Sequence, residues 1–162
     1  MKQSPLTEAA RDEIAGHLND LVAICIDGEK GYHAAAEDTE NPELKLLFTR
    51  LSRQRADFAV DLKRAVGALG CEPRDSSHLA GALHRGWLTL KATVVKNDTH
   101  AVLAECERGE DKAVAAYRTV LAEATLDSGL RNLVSAQASD VQAAHDQIRD
   151  LRDHPAYATD NS

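Results

Sequence analysis

Along most of this chain the apolar residues return every third or fourth position, the spacing that lines one face of a helix packed in a bundle. The first stripe is Ile14, Leu18, Leu21, Cys25, Gly28, Tyr32 and Ala35, in a helix expected over about residues 7–38 with Thr7 as its cap. "NPEL" at 41–44 restarts the chain with an Asn cap, Pro at the first helical position and Glu in the first turn. The second stripe, Leu44, Phe48, Leu51, Arg55, Phe58, Leu62, Ala65 and Leu69, predicts a helix over about 41–70, stopped by Gly70. After the loop "CEPRDSS", Leu79, Leu83, Trp87, Leu90 and Val94 predict a shorter helix over about 79–96. A third long helix, over about 98–124, carries Leu103, Cys106, Glu110, Ala113, Tyr117, Val120 and Ala124. "LDSG" breaks it. The fourth, over about 127–153, carries Leu130, Val134, Gln137, Val141, Ala144, Ile148 and Leu151, and residues 155–162 are expected to form a loose tail.

Four long helices therefore read as hairpin, crossover, hairpin, with the short helix in the crossover. That connectivity is the ferritin-like one, an all-α four-helix bundle of two antiparallel hairpins with one long crossover. A plain up-down-up-down bundle with an extra helix is the nearest alternative. The 162 residues are expected to form a single domain with a core of its own. A formal charge of −7 argues against nucleic acid or an anionic membrane surface as partner. There is no N-terminal apolar leader and no apolar run long enough to cross a membrane, which points to the cytoplasm. Cys25, Cys71 and Cys106 are an odd set without C-x-x-C spacing and read as reduced thiols. Trp87, with His84 and Arg85, is expected to close one end of the core, a dimer contact being its rival reading.

One short pattern occurs twice, as "CIDGE" at 25–29 and "CERGE" at 106–110. Glycine inside a helix costs roughly 1 kcal/mol relative to alanine, and a carboxylate beside an apolar stripe needs a partner. The two pentads together predict a polar layer across the middle of the bundle, with room for a neighbour at Gly28 and Gly109. Arg55 sits on the second stripe, so one reading makes Arg55, Gln54, Glu29 and Glu110 a structural salt-bridge layer. The competing reading makes Glu29, Glu107, Glu110 and His145 ligands of iron or another divalent metal, with Asp57 or Asp140 completing the set. A bundle di-metal site uses a Glu on each of two helices and Glu-x-x-His on each of the others. Here no histidine lies between Asn41 and Gly70, and Gln142 stands where "QAAH" at 142–145 would need a glutamate. A full two-iron site is not spelled out. Cys25 and Cys106 read as small buried hydrophobes. No phosphate loop, nucleophile elbow or Ser-His-Asp order is present, so no catalytic or organic-cofactor residue is assigned.

The segments "LNDLVAICIDGEKGYHAAAED", "PELKLLFTRLSRQRADFAVDL", "GALHRGWLTLK", "AECERGEDKAVAAYR" and "AHDQIRDLRD" give the chain a resemblance to one bacterial family over about residues 15–153. It resembles the ferritin-like four-helix-bundle family labelled domain of unknown function 2383. The resemblance implies a ferritin-like fold in a cytoplasmic protein and hands over no catalytic site. The leading expectation is a non-enzymatic bundle, a homodimer that binds a protein partner or serves in stress, with the Glu/Arg layer specifying its packing. The rival is an iron-binding protein that stores metal or reacts with oxygen or peroxide.

Overall fold

The computed structural model of the chain describes residues 4–74 and 98–158. Four long helices account for most of them: α1 (Glu8–Asp38), α2 (Pro42–Ala68), α3 (Thr99–Glu123) and α4 (Ser128–Asp153). Each begins on a side chain that accepts an otherwise orphaned backbone N–H. Thr7 takes that of Ala10, Asn41 those of Glu43 and Leu44, Asp98 that of Ala101, and Asp127 that of Leu130. At the end of α2, Gly70 adopts φ 77°, and the Cys71 N–H returns to the Val66 carbonyl at 3.3 Å. That closure needs a left-handed residue, which glycine adopts without strain. The expected crossover helix at 79–96, with His84, Arg85 and Trp87, lies outside the described residues.

The buried residues fall into two apolar clusters, and their order along each helix gives the topology. On α1, Ile14 to Cys25 belong to the first cluster and Tyr32 to Ala36 to the second. α2 runs the other way, from Leu44–Leu51 in the second cluster to Ala59–Val66 in the first. α3 follows the direction of α2, with Val102–Cys106 in the second cluster and Ala113–Ala124 in the first, and α4 follows α1. The chain therefore leaves α2 at one end of the bundle and enters α3 at the other. This is the ferritin-like connectivity, and the expected all-α four-helix bundle is the fold observed. α1 packs against both α2 and α3, and α4 packs mainly against α3.

The described part of the tail departs from expectation, residues 159–162 lying outside the described residues. Residues Pro155–Tyr157 form a 3-10 turn rather than a loose end, and Tyr157 packs against the second cluster. Its hydroxyl accepts from Asn41 Nδ2 at 3.2 Å, which ties the end of α4 to the α1–α2 turn. None of the described helices is long and apolar enough to cross a membrane.

Candidate functional site: the polar layer between the two apolar clusters

Between the clusters the stripes supply, in chain order, Gly28, Arg55 and Glu110, and these meet. Arg55 is 1% and Glu110 2% exposed. Arg55 Nη2 donates to both carboxylate oxygens of Glu110, at 2.7 and 3.0 Å. Tyr32, one turn beyond Gly28 on α1, donates its hydroxyl to Glu110 Oε1. The guanidinium carbon lies 6.0 Å from the centre of the Tyr32 ring and 5.9 Å from that of Phe58, near enough for both faces to favour a cation. Burial opposes the charge on Arg55, but the Glu110 carboxylate beside it raises its pKa above the ordinary value. Burial, and then the negative charge of Glu110, hold the Tyr32 hydroxyl protonated far above its usual range.

Gly28 is what admits the arginine. A Cβ at that position would stand 3.2 Å from Arg55 Cγ and 3.6 Å from Cδ. Gly109 has no such neighbour: a Cβ there would meet nothing within 4 Å among the described residues. Both glycines line a cavity of about 30 Å³ beside Arg55, Glu110, Tyr32 and Cys106. Arg55 Nε, buried in the same layer, has no hydrogen-bond partner among the described residues.

A second buried chain of hydrogen bonds lies next to the first. Tyr117 Oη donates to Gln137 Oε1 at 2.7 Å, and therefore accepts from the Cys25 thiol, 3.2 Å away. Gln137 Nε2 in turn reaches the Phe58 carbonyl at 3.5 Å. Burial pushes the Cys25 thiol up to about 11, and burial pushes Cys106 up further still. The two cysteines belong to different apolar clusters and are both free. They do not face one another as a redox pair would. Thiolates are the reactive form, so at pH 8 the native protein should present only half-buried Cys71 to an aromatic disulfide reagent, and three thiols after denaturation. Fast release from two or three thiols in the native state would contradict this placement.

The expected salt-bridge layer of Arg55, Gln54, Glu29 and Glu110 is thus rearranged. Arg55 and Glu110 pair. Glu29 is half-buried, and beyond the hydrogen bonds of its own helix its backbone carbonyl accepts from Ser52 Oγ at 2.9 Å. Gln54 Oε1 is buried without a hydrogen-bond partner among the described residues and does not join the pair. Tyr32, Tyr117, Gln137 and Cys25 supply further polar contacts. Their signal in the sequence is plain in retrospect, since all four are polar or hydroxyl-bearing groups on the predicted seams.

The expected metal set is divided as well. Glu110 is committed to Arg55, Glu29 stands apart, and Asp57 and Asp140 are exposed. Glu107 and His145 do come together, with Glu107 Oε1 4.0 Å from His145 Nε2. Asp111, which the sequence reading did not single out, lies closer, its Oδ1 2.7 Å from the same nitrogen. The signal for it was the i, i+4 spacing of Glu107 and Asp111 in "ERGED", which puts both carboxylates on one face of α3.

Fold and layer together define a ferritin-like helical bundle whose centre is closed by a buried ion pair. Among solved structures it is similar to a mutant of Dps1 from Mycobacterium smegmatis, with a TM-score of 0.74 at 13% sequence identity, covering 91% of this chain and 100% of that one. The chain belongs to the family described as Domain of unknown function (DUF2383), whose model matches residues 13–123. No curated protein sequence matches it.

Proposed function

We propose that this chain is a non-enzymatic ferritin-like subunit that assembles with a second copy of itself in the cytoplasm and binds a further protein partner or serves in stress. The observation that carries this reading is the Arg55 guanidinium on Glu110. A di-iron centre needs several carboxylates and histidines converging on a cationic pair of metals. Here the inward glutamate of α3 is already neutralised by a fixed cation, and α2 offers no histidine. The residues present do not fit an internal di-iron group. The rival reading, iron held for storage or oxygen and peroxide chemistry by Glu29, Glu107, Glu110 and His145 together, has this commitment of Glu110 against it.

Self-association is supported by the outer face of α2. Leu46 is 73% and Val60 52% exposed there, and fourteen residues of helix bring them to the same side of it, with Arg53 midway. The free thiols, held protonated by burial in two of three cases, suit a reducing compartment.

The test is sedimentation together with Fe(II) oxidation by protein purified without chelator. A mass of twice 17.5 kDa and no oxygen uptake above the buffer rate are expected. Fe(II)-dependent oxygen uptake that is lost in Glu110→Gln, or a stable monomer, would overturn the proposal.

A further inference from the structure

The flank of the α3–α4 hairpin carries a second group of polar residues, apart from the buried layer. Glu107 and Asp111 are one turn apart on α3, and His145 stands across from them on α4. One donor atom from each lies within 4.8 Å of the other two. The side chains of Glu107 and His145 are only 12% and 15% exposed, while that of Asp111 is 62% exposed. Two largely buried ligands at the wall of the bundle thus face one exposed ligand on the solvent side.

What orients these atoms lies outside the group. His145 Nδ1 is 3.1 Å from Asp146 Oδ1, and the same oxygen accepts from Gln142 Nε2 at 3.0 Å and Arg149 Nη1 at 3.4 Å. A carboxylate on Nδ1 leaves Nε2 as the nitrogen turned toward Asp111 and Glu107, the arrangement by which metal-ligating histidines are held. Glu107 is treated in the same way. Its Oε2 is taken by Arg152 Nη1, so Oε1 is the oxygen left facing the imidazole.

We propose that Glu107, Asp111 and His145 form a mononuclear site for a first-row divalent cation that clips α3 to α4. Donor atoms about 2.0–2.2 Å from such an ion lie roughly 3–3.5 Å from each other. The observed Nε2–oxygen separations of 2.7 and 4.0 Å bracket that range. Small rotations of the exposed Asp111 and of the imidazole close the difference. One imidazole with two carboxylates suits ions of the Zn²⁺, Co²⁺, Fe²⁺ or Mn²⁺ type, whereas Mg²⁺ and Ca²⁺ prefer all-oxygen sites. Three protein ligands leave further positions for water. On binding, the cation takes the place of the proton between Nε2 and Asp111, and that proton leaves to solvent.

Cobalt titration of the full chain after removal of metals by chelator tests this. One equivalent of Co²⁺ should develop visible absorption, be displaced by Zn²⁺ and not by Mg²⁺, and raise the thermal midpoint. His145→Ala and Asp111→Asn should each weaken binding at least tenfold, and His33→Ala, at an exposed pair with Glu37, should leave it intact. Asp111→Asn keeps shape at an exposed position, so its loss of binding cannot be assigned to unfolding. Absence of saturable Co²⁺ binding below millimolar, or binding indifferent to His145→Ala and Asp111→Asn, would overturn the proposal. Neither outcome bears on the Arg55–Glu110 layer, which these variants do not touch.

Discussion

Replacing Glu110 with alanine is expected to lower the free energy of unfolding by about 3–5 kcal/mol, and Arg55→Ala by a similar amount. The reason is not the strength of the pair itself. Bringing two charges out of water costs several kcal/mol for each, and their attraction offsets that cost only while both are present. Glu110→Ala leaves a guanidinium 1% exposed between two aromatic rings, with Nε already unpartnered and Nη2 newly so. It also strands the Tyr32 hydroxyl, an unsatisfied buried donor that costs about 1–3 kcal/mol. The companion variant separates the two origins. Arg55→Met, Glu110→Leu and Tyr32→Phe together replace the whole group by apolar side chains of related size, and should recover most of the loss. Urea unfolding of the three proteins measures both effects. A Glu110→Ala variant within about 1 kcal/mol of wild type would mean that the pair is hydrated and contributes little.

The two glycines of the repeated pentads should respond in opposite directions to the same substitution. At Gly109 an added methyl group meets no atom within 4 Å, so Gly109→Ala gains about 0.5–1 kcal/mol from the reduced freedom of the unfolded chain. At Gly28 the same methyl stands 3.2 Å from Arg55 Cγ. The arginine cannot swing aside, because its far end is fixed to Glu110 and lies between the Tyr32 and Phe58 rings. Overpacking of this kind costs about 1–3 kcal/mol, which exceeds the helix-propensity gain, and Gly28→Ala should lose about 1–2 kcal/mol net. Placed in the Glu110→Ala background, where the guanidinium is released, Gly28→Ala should be much better tolerated. Thermal unfolding of both alanine variants reads the contrast directly; equal shifts of the same sign would deny that Gly28 makes room for Arg55.

That contrast explains what was and was not legible in the sequence. The seams could be read nearly residue by residue, because a helix buries one face and the 3.6-residue period leaves that face visible in the spacing. Leu18, Leu21, Phe48, Leu51, Leu103, Tyr117, Val134 and Ile148, all on predicted stripes, are among the most deeply buried side chains. The pentad repeat was misleading because its two copies sit at different rotations. In α1 the seam passes from Cys25 to Gly28, which turns Glu29 about 100° toward the edge. In α3 it passes from Cys106 to Glu110, which turns Gly109 aside and puts the carboxylate inside. The same Cys-x-x-Gly-Glu pattern therefore gives an outer glutamate in one helix and a core glutamate in the other. Asp111 was missed for a different reason. Its partner His145 belongs to α4, and their meeting depends on how the two helices are rotated against each other, which spacing along one helix does not fix.

The Arg55–Glu110 ion pair completes the layer around Glu110 without calling on a metal. The most direct measurement is the cost of Glu110→Ala determined twice by urea unfolding under anaerobic conditions, once in excess chelator and once with Fe(II). The same cost is expected in both, about 3–5 kcal/mol, whatever Fe(II) adds to the stability of either protein through Glu107, Asp111 and His145. A cost that is small in chelator and grows when Fe(II) is supplied would contradict it, and would return Glu110 to the role of a metal ligand.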